Sequence, residues 1–107
     1  MTRSPHSRRK GVRGEREVTL AFEAAGGKVL NLEGQGDQLV ELNDWVFHVE
    51  SKRQEVIQIE KWCHQAETER ARDFYVPVVV WRRSRQPWRA TLPLAAFLDM
   101  ASDGLAE

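Results

Sequence analysis

The chain has 107 residues, 41% hydrophobic and 30% charged, enough for one domain with a modest core. Sixteen Lys and Arg balance 16 Asp and Glu; no apolar run nears the roughly 18 residues that cross a bilayer, and no apolar leader core follows Met1. One cysteine, Cys63, excludes an intrachain disulfide and a multi-cysteine zinc module and fits a reducing, cytoplasmic setting, while His6, His48 and His64 lack metal-ligand spacing.

In chain order, residues 1–11 are polar and basic (Arg3, Arg8, Arg9, Lys10) and are expected to be a disordered tail ahead of a single domain over 12–107. Val18, Ala21, Phe22 and Ala25 recur at helical spacing over residues 12–25, and Gly26-Gly27 stops that helix. Residues 28–32 alternate as a short strand, and 33–36 form a glycine-containing loop. Residues 38–42 and 45–51 read as strands around Asn43-Asp44, a two-residue turn. A second helix is predicted over 54–72, with Val56, Ile59, Cys63 and Ala66 on one stripe. Residues 76–81 are almost continuously apolar, as a strand covered on both faces should be. Residues 88–92 pair back after an Arg-rich turn, and Pro93 opens a last helix through residue 100. The order α-β-β-β-α-β-β-α predicts an α/β fold: a mixed sheet of about five strands flanked by helices.

The neutral total hides segregation. Arg3, Arg8, Arg9, Lys10, Arg13 and Arg16 face only Glu15 in the first sixteen residues, and Arg82, Arg83, Arg85 and Arg89 form a second basic stretch. The acids gather between them. This pattern suits a polyanion gripped around a cation site, although from charge alone a tail and a solvated hairpin is the better reading.

Geometry around the first hairpin sharpens the reading. With Asn43-Asp44 as the turn, Leu42 faces Trp45 and Asp37 lies opposite Glu50 on one face, their Cβ atoms about 4.5–5.5 Å apart. Two like charges so placed cost stability unless a cation sits between them. Lys52 projects from the same face as Glu50. Hard oxygen ligands of this kind suit Mg²⁺ or Mn²⁺. Glu15 shares the helix face of Val18 and Phe22; a site role and a first-turn acid favoured by the helix dipole account for it equally. Glu17, on the other side, reads as a surface charge.

Taken together, Arg9-Lys10-Gly11, then Gly14-Glu15-Arg16-Glu17 opening a helix, Gly36-Asp37 and Val49-Glu50-Ser51-Lys52 resemble the archaeal-type Holliday junction resolvases of the PD-(D/E)xK nuclease superfamily. Val76-Pro77-Val78-Val79-Val80 and Trp88-Arg89 resemble the family's following strands, so the likeness covers roughly residues 8–92. It implies a restriction-endonuclease-like fold and Mg²⁺-dependent cleavage of four-way DNA junctions in recombination and repair, with Mn²⁺ as a substitute. By the same likeness, Asp37, Glu50 and the Ser51 carbonyl would ligate the metal, and Glu15 would hold it directly or through water. Lys52 would orient the attacking water or stabilise the pentacovalent phosphate. Arg8, Arg9, Lys10, Arg13, Arg16, Arg82, Arg83 and Arg85 would contact DNA. Paired cuts imply a homodimer, and the setting expected is a bacterial or phage-infected cell. Two features depart from the family: Asn31 stands where an arginine is usual, and the 34–37 loop is shorter. The alternatives are a related nuclease for other DNA structures and a non-catalytic DNA-binding protein. His48 is expected as a packed residue at the edge of the site, Cys63-His64 as helix surface, and Trp45, Trp62, Trp81 and Trp88 as core or dimer contacts.

Overall fold

The computed structural model describes residues 5–32 and 37–103, in the order α1 (Pro5–Ala24), β1 (Lys28–Asn31), β2 (Gln38–Leu42), β3 (Trp45–Arg53), α2 (Ile59–Glu69), β4 (Val76–Arg82), β5 (Arg89–Thr91) and α3 (Leu94–Asp103). One mixed sheet runs β1-β2-β3-β4-β5. Its neighbours are antiparallel except β3 and β4, which run parallel because α2 carries the chain back between them. This is the predicted element order and fold class.

The β2–β3 hairpin sets the register. Asn43 and Asp44 both adopt positive φ, 50° and 68°, as a type I′ turn requires. Leu42 therefore faces Trp45, and the ladder reaches Gln38 opposite Val49. One more step back along each strand leads to Asp37 and Glu50.

Strand alternation sends successive side chains to two separate cores. Val40, Val49, Val78 and Val80 meet Val18 of α1, with Phe22 packed against them. On the other face, Val79 meets Trp62 and Ala66 of α2. Helix α1 ends in a Schellman cap: Gly27 N–H donates to Phe22 O (2.8 Å) and Gly26 N–H to Glu23 O (3.0 Å), with Gly26 at φ 94°. Gly14 lets α1 lie close on the sheet, since a Cβ there would stand 3.3 Å from Arg53 Cβ and 3.4 Å from the Trp88 ring.

Several boundaries differ from expectation. Helix α1 starts at Pro5 rather than residue 12, so the backbone of residues 5–11, expected in a disordered tail, is helical; proline at the first helical position has its φ already set for a helix. Helix α2 is shorter than the predicted 54–72 at both ends. At its start β3 continues to Arg53 and Gln54 N–H still donates to Arg82 O (3.2 Å), holding this stretch in the sheet and leaving Val56 exposed outside the helix. At its end Arg70 turns extended, and the Ala71 amide donates to His48 instead of to a helical carbonyl.

A candidate metal centre beside a basic surface

His48, Glu50 and Lys52 alternate onto the α2 face of β3, where Glu50 lies level with Val79 of that face's core. Gln38 points the other way, its Nε2 donating to Thr19 Oγ1 of α1 and to Asn31 Oδ1 (2.7 Å). Asp37, one residue earlier, therefore turns to the α2 face with Glu50. Asn31 thus binds Gln38 across the ends of the 33–36 segment, which lies outside the described residues; Leu32 N–H donating to Asp37 O (2.9 Å) closes the same gap.

Carboxylate oxygens of Asp37, Glu50 and Glu69 all lie within 4.8 Å of one another. Asp37 and Glu50 are only 6% and 2% exposed, and Glu50 Oε2 is buried with no hydrogen-bond partner. Burial, and then the charge of Asp37, push the Glu50 carboxyl up to about 7 against the opposing pull of Lys52. The Glu69 carboxylate, placed to share a proton with Glu50, adds to the rise. Three hard oxygen donors, with one buried oxygen left unpartnered, fit a divalent cation of the Mg²⁺ or Mn²⁺ class.

Behind the acids lies His48. Its Nε2 is 3.0 Å from Asp37 Oδ2, and its Nδ1 accepts the Ala71 N–H at 2.9 Å. The expected edge residue is thus fully buried and bonded to a proposed ligand.

The other expected site residues are dispersed around this group. Lys52 is half-buried on the same strand face as Glu50. Ser51 faces the α1 side, its hydroxyl buried without a partner. Glu15 is half-buried on α1, the helix of the opposite face, and the oxygens gathered within 4.8 Å are those of Glu69 instead. Sequence reasoning passed over Glu69, yet it continues the Trp62–Ala66 stripe at helical spacing, the kind of signal that singled out Glu15.

Arg13 and Arg16 are exposed on α1. Arg8, Arg9 and Lys10 fall in its first turns, where side-chain positions lie outside the described residues. Arg82 is engaged: its Nη2 reaches both Glu17 carboxylate oxygens (3.1 and 3.0 Å), and its guanidinium lies 5.1 Å from the Trp88 ring centre. Glu17 is therefore a fixed partner rather than a free surface charge. Arg83 Nε donates to Glu55 O (3.1 Å), and Arg85 is exposed at φ 65° in the β4–β5 turn. Together with Trp81, Gln86 and Arg89, Arg82 and Arg83 line a shallow hollow of about 220 Å³. Cys63 is half-buried, and burial followed by the charge of Glu67 pushes its thiol up, away from reactivity.

No family model and no curated protein sequence matches the chain. Among solved structures it resembles Hjc of Archaeoglobus fulgidus, a Holliday junction resolvase from an archaeal hyperthermophile. The TM-score is 0.62 at 22% identity, over 78% of this chain and 72% of that one. The mixed five-stranded sheet with flanking helices is thus a restriction-endonuclease-like fold. Among the described residues no helix is long and apolar enough to cross a membrane.

Proposed function

We propose that this protein is a structure-selective DNA endonuclease of the PD-(D/E)xK kind, cutting four-way junctions by metal-dependent phosphodiester hydrolysis as a homodimer. The observation that carries this reading is the buried pair Asp37 and Glu50, brought together across a tight hairpin with Lys52 two residues on. A fold shared with a junction resolvase adds to it. An inactive scaffold has no use for adjacent buried acids, which destabilise it.

Asp37, Glu50 and Glu69 would hold the cation, with the Ser51 carbonyl completing the set. Bound there, Mg²⁺ or Mn²⁺ would supply Lewis-acid polarisation of the scissile phosphate and activation of a water. Lys52, extending from the same strand face, orients the attacking water or offsets the charge that grows on the phosphorus-bound oxygens. Glu15 takes a water-mediated place in this scheme on the strength of the sequence motif alone. Arg13, Arg16, Arg83 and Arg85 grip the sugar–phosphate backbone, which positions the substrate without reading its sequence.

The test compares cleavage of a four-way junction, a flap, a duplex and a single strand in Mg²⁺. Selective, paired cutting of the junction is expected, with Asp37→Asn and Glu50→Gln losing cleavage and keeping junction binding. Equal cutting of all four substrates would make it a general nuclease. Junction binding with no cleavage in Mg²⁺ or Mn²⁺ would make it a binding protein.

A further inference from the structure

We propose that His48 is the positioning residue of this centre, holding the Asp37 carboxylate in the orientation that accepts a cation; the inference rests on the metal site proposed above. A backbone amide can only donate, so the Ala71 N–H at 2.9 Å identifies Nδ1 as the bare nitrogen of the ring. The ring proton is therefore on Nε2, where it donates to Asp37 Oδ2 at 3.0 Å. Both nitrogens are committed, and a flipped ring would present carbon to each partner. With 1% exposure, the imidazole has no water to turn to.

Asp37 needs such a hold. It stands just outside β2, after the 33–36 segment, with its backbone tied by the Leu32 N–H bond to Asp37 O. His48 sits on β3 two residues before Glu50, so the strand that carries one acid also clamps the other. The far end of the clamp is the Ala71 amide, two residues beyond Glu69. One imidazole thus ties together the three chain segments that supply the three carboxylates. Groups that hydrogen-bond metal-ligating side chains commonly contribute about 10–100-fold to metal affinity.

Three substitutions separate positioning from packing. Gln places an amide nitrogen where Nε2 stands and can still donate to Asp37. Asn places an oxygen where Nδ1 stands and can satisfy only Ala71. Phe keeps the ring volume and serves neither partner. Mn²⁺ binding to each folded protein is measured by calorimetry without DNA, alongside kcat and KM on a junction. The expected result is a loss of about 10–100-fold in Mn²⁺ affinity for His48→Asn and His48→Phe, most of it recovered in His48→Gln. In the weakened variants kcat should fall at fixed metal and recover with added Mn²⁺, with KM for DNA unmoved. Should His48→Phe not fold, the Asn and Gln variants decide between themselves. Wild-type-like Mn²⁺ affinity in His48→Asn, or in His48→Phe, overturns the inference while leaving the metal centre standing. A flat wild-type titration overturns the metal centre itself, and the inference with it.

Discussion

At the scale of single residues, Glu50 is an uncomfortable group, a buried carboxyl with one oxygen unpartnered. Its carboxyl is buried beside Asp37 and holds its proton up to about 7, against 4.5 for an ordinary glutamate. Between those two values the metal-free folded state carries a proton that the unfolded chain has released. Stability must then fall as pH rises across that window, the contribution being complete below 4.5 and gone above about 7. Removing the charge should reverse the loss: Glu50→Gln is expected to be more stable than wild type by about 1–3 kcal/mol at pH 8 in chelator. Thermal melts of both proteins from pH 4 to 8 in EDTA check this, and parallel curves would show that Glu50 does not titrate in the window. Mn²⁺ affinity of the wild type should climb with pH up to about 7, since binding expels the proton. The Asp37–Glu50 pairing was legible because a strand's side-chain period of two and a two-residue turn determine it. Glu69 lay on the Trp62–Ala66 stripe, but its meeting with the other two acids is a tertiary event, fixed where α2 packs on the sheet and His48 holds the Ala71 amide, a contact 23 positions apart.

Among the elements, the hairpin β2–β3 carries most of the site, and its turn is chemically imperfect. Asn43 and Asp44 sit at φ 50° and 68°, a region where a Cβ is strained and where glycine fits at the second position. Asp44→Gly should therefore raise stability by about 0.5–1 kcal/mol without shifting register or cleavage. Urea denaturation reads the gain. A loss would mean that the Asp44 side chain contributes more than its backbone strain costs. Element types were readable throughout, since periodicity and turn residues decide them locally. Ends were not: α1 extends back to Pro5 because Arg and Lys are good helix formers whose polarity looked like a tail. Helix α2 begins only at Ile59 because the β3–β4 pairing holds the chain in the sheet as far as Gln54, and Glu55 is then bonded to Arg83 and Ser84 of the β4–β5 turn.

Over the whole molecule, folding gathers charges that the sequence keeps far apart. The Glu17–Arg82 ion pair and the seat of Gly14 against Trp88 place the N-terminal half of α1 beside the β4–β5 turn. The two basic stretches therefore share one end of the sheet, the end toward which β3 carries Lys52 and Arg53. Helix α1 also opens without an acid in its first turn. Arg8, Arg9 and Lys10 lie in its first two turns, where the helix dipole disfavours cations. On the DNA-binding reading proposed above, phosphates would neutralise both these charges and the positive helix end, offsetting that cost. Replacing Arg8, Arg9 and Lys10 together by Gln should then leave the fold intact and lower the slope of log affinity against log salt for duplex DNA. The reduction should be up to about 2.7, at about 0.9 per phosphate released. The preference for a junction over a duplex should move little, since contacts of this kind hold the backbone without reading its shape. Fluorescence titrations at several salt concentrations measure both quantities. An unchanged slope would place these three charges in solvent and leave Arg13, Arg16, Arg83 and Arg85 as the DNA-gripping surface.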